Sequence, residues 1–230
     1  QTWQQERRLR AMSKLVFASS THLVDLLNER FSLPPEKIHL LRNGYSTDWM
    51  IQKSSVASDT SVLRFGYFGT IGRWFDFDLI LKSIESCHKL EYHLFGPTEN
   101  GVSIPQNTKI ISHGVVEHNI IPKFAEKMDA LVMPFVPNEI VQSVDPVKLY
   151  EYICLNKPIL CIRYPEVKRF APFAILYSTQ AEYIDGVFSI DKDRTPRYTE
   201  RQAVAFLEKN SWSVRAKEVA RQMQLSNMEE

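Results

Sequence analysis

The stretch "LRFGYFGTIGRWFDFDLI" (residues 63–80) decides the fold. Its opening "LRFGYF" is a short apolar and aromatic run of strand character. The run enters Gly69 and Gly72, after which Asp76 is placed to cap a helix over "FDLILKSIES". Working outward, the same alternation continues. Strands are predicted at 14–19, 37–41, 63–68, 91–95, 109–112, 129–135, 158–162 and 187–190, and helices at 3–12, 20–31, 76–88, 119–127, 146–155, 199–209 and 212–224. Strands alternating with helices imply a mostly parallel sheet covered on both faces, a doubly wound α/β domain.

Residues 46–62, "STDWMIQKSSVASDTSV" with the Ser46 that opens it, are polar, Ser-rich and without apolar period, so they read as a linker. Residues 1–45 then form the tail of one unit, 63–210 a fuller second unit, and 211–230 a terminal helix. The chain opens on Gln1 with a helix-like segment, which leads us to expect a piece whose upstream half is absent.

Composition narrows the function classes. A net charge of +1 gives no electrostatic reason to expect a nucleic-acid partner. Cys87, Cys154 and Cys161 are odd in number and lack metal-ligand spacing, which suits buried thiols in a reducing compartment. The six histidines form no zinc motif, so no metal is expected. No apolar run reaches the roughly 18–20 residues of a membrane span, and no signal peptide is visible.

Three segments carry candidate chemistry. Glycines after a strand, as in "YFGTIGRWFD" (67–76), let backbone approach a ligand and leave amides free for phosphate, although a plain turn also uses two glycines. The spacing is G-x-x-G and not a dinucleotide fingerprint. Arg73 can face an anion there or simply be solvated.

In "DPVKLYEY" (145–152), Asp145 is a plausible N-cap and Pro146 suits the first helical position. Lys148 then falls in the first turn, where a cation works against the helix dipole by about 0.3–1 kcal/mol. A bound phosphate removes that misfit. Glu151 lies at i+3 and can accept hydrogen bonds from two vicinal hydroxyls; a Lys148–Glu151 surface pair is the plainer alternative. An Asp145 cap would also occupy amides that a phosphate needs.

The third segment, "PFVPNEIVQS" (134–143), joins a strand end to that helix and places Asn138, Glu139 and Ser143 where open α/β sheets collect ligands. His113, after the strand "KIIS", either lines the same edge or is solvated or structural.

Taken together, "RFGYFGTIGRWFDFDLI", "YHLFGP" and "MPFVPNEIVQSVDPVKLYEYICLNKPIL" resemble, in order and spacing, the nucleotide-sugar-binding half of a GT-B glycosyltransferase of the family 4 kind. "VFASSTHLVDLL…KIHLLRNGYS" resembles the segment that closes the first domain, and "NSWSVRAKEV" the late helix that crosses back to it. The resemblance implies a Rossmann-like donor-binding domain. It assigns Glu151 to the ribose, Lys148 and the 145–149 backbone, with Val147 and Leu149, to the diphosphate, and Gly69 and Thr70 to the loop beneath it. It further implies glycosyl transfer from a nucleoside-diphosphate sugar to a glycan or lipid-linked acceptor in polysaccharide synthesis, without cofactor or metal. A cytoplasmic place, peripheral at the inner face of the membrane, goes with such an acceptor. Any general base would lie in the N-terminal domain. Many family members carry a glutamate where this chain has Ser143, which leaves Glu139 or Asp145 as substitutes for the contact to the transferred sugar. A non-catalytic nucleotide-sugar-binding or scaffolding domain is the alternative, with a nucleotide-sugar epimerase of the same fold ranked below it.

Overall fold

A computed structural model describes residues 2–31, 34–46 and 61–228. The linker assigned to 46–62 lies, for residues 47–60, outside the described residues. The chain begins with α1 (Thr2–Met12), β1 (Val16–Ala18), α2 (Thr21–Phe31) and β2 (Ile38–Leu40). β1 and β2 pair in parallel, and Ala18, Leu27 and Ile38 form a small core of their own.

The larger body follows as β3 (Leu63–Phe68), α3 (Phe77–Ser86), β4 (Leu90–Phe95), β5 (Ile110–Gly114), α4 (Ile121–Ala125), β6 (Ala130–Met133), α5 (Glu139–Gln142), α6 (Val147–Cys154), β7 (Ile159–Ile162), β8 (Ile175–Tyr177), α7 (Gln180–Lys192), α8 (Glu200–Lys209) and α9 (Trp212–Met228). Short 3-10 turns cover His118–Ile120 and Pro165–Phe170. Six strands form one parallel sheet in the order β5-β4-β3-β6-β7-β8. Counting from β3, this is the 3-2-1-4-5-6 order of a doubly wound dinucleotide-type sheet. The expected fold class is the observed one. Burial follows from it: every residue of β6 and β7 is buried, as central parallel strands covered on both faces require.

Two sequence expectations fail. "VFSI" (187–190), read as a strand, lies inside α7. Tyr183, Gly186, Val187 and Ile190 are buried at helical spacing, but Gly186 contributes no side chain to that face. A Cβ there would meet Leu160 Cδ1 at 2.7 Å, so the helix needs glycine to lie close to β7. The apolar period is thus interrupted where packing is tightest. The sixth strand is instead β8, only three residues long.

Asp145 is the second correction. It is not the N-cap of α6: Pro146 holds that position, and no side chain caps the helix. Asp145 is 1% exposed, and its carboxylate turns the other way. Asn43 N–H donates to Oδ2 at 2.7 Å, Arg169 Nη2 donates to Oδ1, and Asn43 Nδ2 donates to the Asp145 carbonyl at 2.7 Å. Burial pushes the carboxyl pKa up, against the opposing pull of Arg169 and the Asn43 amide. Glu166, also buried, accepts from Thr21 N–H at 2.6 Å and from Arg42 Nε at 3.2 Å. Two buried carboxylates therefore fasten Thr21, Arg42 and Asn43 to the six-stranded body. α9 completes the join, since Trp212 N–H donates to the Tyr45 carbonyl at 3.1 Å and Arg215 Nε to the Asn43 carbonyl at 3.2 Å.

Replacing Asp145 by alanine leaves Arg169 and the Asn43 amide without their acceptor. Asp145→Ala should lower the free energy of unfolding by about 3 kcal/mol, the scale for breaking a buried pair. Urea titration checks this, and a loss under about 1 kcal/mol would remove Asp145 from the anchoring role.

Candidate functional site

The chain leaves β3 toward β4 on one side of the sheet and leaves β6 toward β7 on the other. The carboxyl ends of β3 and β6 thus bound the crevice where open α/β sheets take their ligands. Three segments converge on it: the loop after β3, the loop after β6, and the N-terminus of α6.

The loop after β3 is fixed by close backbone approach. Gly69 (φ +143°) donates its N–H to the Phe95 carbonyl at 2.8 Å. Gly96 (φ +144°) lies against it, and a Cβ on Gly96 would stand 2.1 Å from the Gly69 oxygen. These two positions require glycine. The Thr70 carbonyl accepts from Tyr67 Oη at 2.8 Å. Farther along, Asp76 N–H donates to the Pro134 carbonyl at 2.8 Å and Val136 N–H to the Trp74 carbonyl at 2.7 Å. The loops after β3 and β6 are therefore stitched together. Arg73 is not aimed at the crevice floor: its Nη2 lies 3.0 Å from Glu99 Oε1 on the exterior.

The segment after β6, whose sequence suits an ordinary polar loop, contains the short helix α5. Asn138 caps it by accepting from Val141 N–H at 2.9 Å, and Ser143 Oγ donates to the Glu139 carbonyl at 2.7 Å. Both side chains thus close a helix end, and Glu139 is exposed. His113 is held on the edge strand β5, with Nε2 at 2.9 Å from His93 Nδ1 and its ring stacked 4.3 Å from that of Phe95. Burial lowers the pKa of both imidazoles.

α6 brings the remaining predicted residues together. With Asp145 turned away, the first amides of the helix, at Val147 and Lys148, meet no capping side chain. Lys148 is half-buried and its head lies over Gly69: a Cβ on Gly69 would fall 2.0 Å from Lys148 Cε and 2.6 Å from Nζ. Burial lowers the Lys148 pKa, while the Glu151 charge acts to raise it. Leu149 is fully buried and can contribute only backbone. Glu151 follows one turn later, its Oε1 3.0 Å from His118 Nε2. Nothing in the local sequence singles out His118. It lies 33 residues from Glu151, and no local pattern links the two.

Next to Lys148 opens a cleft of about 290 Å³, bounded by Trp74, Phe135, Ile140, Val144, Val147 and Asn43 among others. A larger depression of about 790 Å³ lies at the opposite, amino ends of β7 and β8 and includes Glu182, Asp185 and Asp193. Its carboxylates suit an anion poorly, so size does not locate the site. An uncapped helix start, a cation beside it and a glycine floor together suit a diphosphate. A carboxylate one turn away suits a diol.

No family model matches the chain. Its sequence is 24% identical over 198 residues to the putative teichuronic acid biosynthesis glycosyltransferase TuaH of Bacillus subtilis (strain 168), covering 81% of this chain and 48% of that protein. The chain thus spans about half the length of this curated relative. Among solved structures, sucrose-phosphate synthase from Thermosynechococcus elongatus superposes with a TM-score of 0.71 at 11% identity, over 98% of this chain and 61% of that one. Anabaena Alr3699/HepE, solved in complex with UDP and glucose, gives 0.62 at 14% identity, over 98% and 66%. The fold is therefore the GT-B-like Rossmann arrangement of these proteins. Among the described residues, no helix is long and apolar enough to cross a membrane.

Gly69→Ala tests the seat of Lys148, because the added methyl occupies the position of the lysine's Cε. The substitution should weaken inorganic pyrophosphate binding by about 1.5–3 kcal/mol, the scale of a hydrogen bond to a charged group. Isothermal calorimetry on the 230-residue chain reads this, and unchanged affinity would separate Lys148 from the anion.

Proposed function

We propose that this chain is the donor-binding half of a glycosyltransferase that acts in cell-surface polysaccharide synthesis. It takes a nucleoside-diphosphate sugar at the crevice between β3 and β6. The observation that carries this reading is Lys148: a half-buried cation in the first turn of an uncapped helix, resting on Gly69 at the switch point of the sheet. Such a cation opposes the helix dipole unless a dianionic group lies between them.

In this reading the diphosphate rests on the Val147 and Lys148 amides and the lysine head. Glu151 accepts from the ribose hydroxyls, and the sugar extends into the cleft beyond. During transfer the bond from the anomeric carbon to the diphosphate oxygen breaks, with its electron pair leaving on the diphosphate. The acceptor hydroxyl oxygen bonds the anomeric carbon and gives up its proton. Lys148 and the helix amides stabilise the charge that builds on the leaving group. The acceptor, a glycan or lipid-linked sugar, and any base belong to the N-terminal domain that pairs with this half. Neither a metal nor a cofactor enters the proposal, because the lysine and helix dipole supply the positive field.

Ser143, whose hydroxyl closes α5, gives some support to a second reading in which the domain binds nucleotide sugars without transferring them. Product formation by the protein joined to its N-terminal domain separates the two.

Calorimetry of the chain with UDP, GDP and dTDP tests the binding reading; a folded chain that binds none of them overturns it. Glu151→Ala should weaken the bound nucleotide by about 1–3 kcal/mol, through the hydroxyls left without an acceptor. Binding should also depend on pH with a fixed sign. The Lys148 pKa is depressed in the free chain, and a bound diphosphate raises it again. Affinity is therefore constant below the depressed value and falls as pH rises through it, with proton uptake on binding. Lys148→Gln should abolish that alkaline fall.

A further inference from the structure

The cleft beside Lys148 has the chemistry of its occupant in its walls, and this inference rests on the donor site proposed above. Its lining is dominated by Trp74, Phe135, Ile140, Val141, Val144 and Val147. Phe135 and Val141 are buried, while Ile140 and Val144, at 61% and 42% exposure, form an apolar lip. The polar groups of the wall are few, and most are already engaged. Both Asp145 carboxylate oxygens are taken, by Asn43 N–H and by Arg169, and Asn43 Nδ2 is taken by the Asp145 carbonyl. Asn138 and Ser143, the hydroxyl-binding candidates on the adjoining segment, close the two ends of α5. Lys148 is committed to the diphosphate, which leaves the Asn43 side-chain oxygen and the Tyr164 phenol.

A hexose anchored by its anomeric phosphate at the start of α6 turns its C4 and C6 toward the far wall, since C4 lies across the ring from C1 and C6, carried outside the ring on C5, is the carbon farthest from it. A hydroxyl on C6 would enter surroundings made mostly of valine, isoleucine and aromatic carbon, where only the Asn43 oxygen and the Tyr164 phenol offer partners and contact with the apolar wall strips part of its water. A methyl group there fits the wall. The cleft volume of about 290 Å³ is at the small end of ligand pockets, with room for one sugar residue and not for a long isoprenoid chain. We propose that the transferred sugar is a 6-deoxyhexose, selected by the apolar wall formed by Trp74, Phe135, Ile140, Val141 and Val144.

The test compares matched donors on the 230-residue chain by calorimetry: UDP-glucose with UDP-6-deoxyglucose, dTDP-glucose with dTDP-6-deoxyglucose, and GDP-mannose with GDP-rhamnose. The bare nucleoside diphosphates are titrated alongside. Within the pair that carries the preferred base, the 6-deoxy donor should bind about ten- to a hundredfold tighter, the range by which an apolar pocket rejects an added hydroxyl. Val144→Ser and Ile140→Gln, both at exposed positions, should bring that ratio toward one, with bound nucleoside diphosphate reporting that each variant is folded. Equal or tighter binding of the parent hexose, while the bare diphosphate still binds, overturns the deoxyhexose assignment and leaves the donor site standing. A folded chain that binds no nucleoside diphosphate overturns both.

Discussion

The structure turns on the direction of one buried carboxylate. Asp145 stands one residue before Pro146, the N-cap of α6, close to where an aspartate ordinarily folds back to cap a helix. Instead it reaches Asn43 and Arg169. A carboxylate with almost no exposure must find donors, and a backbone N–H with a guanidinium supplies two. The consequence extends in two directions. Backward along the chain, it fixes Asn43 against the body of the sheet, helped by Glu166, which accepts from Thr21 N–H at the start of α2 and from Arg42. Forward, it leaves the first amides of α6 pointing at the crevice with no side chain across them. An anchor and an open helix start thus arise from the same choice of hydrogen-bond partners.

That opening has a use because Lys148 is held beside it. The lysine cannot relax onto the loop after β3 unless residue 69 lacks a side chain, and Gly69 cannot take its place unless residue 96 lacks one too. Two glycines just past the ends of the neighbouring strands β3 and β4 therefore set the depth at which the cation rests. Partial burial makes the charge harder to hold, and Glu151 one turn away offsets part of that cost. On the donor-site proposal, an entering diphosphate supplies the negative charge that the cation and the helix start both favour.

Much of this was legible in the sequence wherever the signal was local. The strand, glycine turn and Asp76 cap at 63–80 lie within one stretch, and the Asp76 side chain does accept from Leu79 N–H at 2.9 Å. Lys148 was legible as a local contradiction, a cation at the wrong end of a helix. What could not be read depended on distance or on missing atoms. Asp145 reads as a cap because its partners are 102 and 24 residues away. His118 meets Glu151 only after β5 and α4 have folded. α7 was mistaken for a strand because Gly186 blanks the one core-facing position that would have revealed its period, and β8 is too short to show alternation.

Ser143 shows why a departure from a family pattern has to be read in three dimensions. Taken alone, loss of a glutamate at that position suggests a weakened grip on the sugar. In the folded chain the segment from Asn138 to Ser143 has become a short helix, with Asn138 capping its start and the Ser143 hydroxyl closing its end. Ile140 on this helix and Val144 just past its end then border the cleft with carbon and not with hydrogen-bonding groups. The polar side chains have been spent on making the wall, so the wall itself is apolar. On the donor-site proposal, a sugar bound there draws its specificity chiefly from shape and apolar contact, because the Asn43 side-chain oxygen and the Tyr164 phenol are the few polar groups left in that wall to meet a hydroxyl.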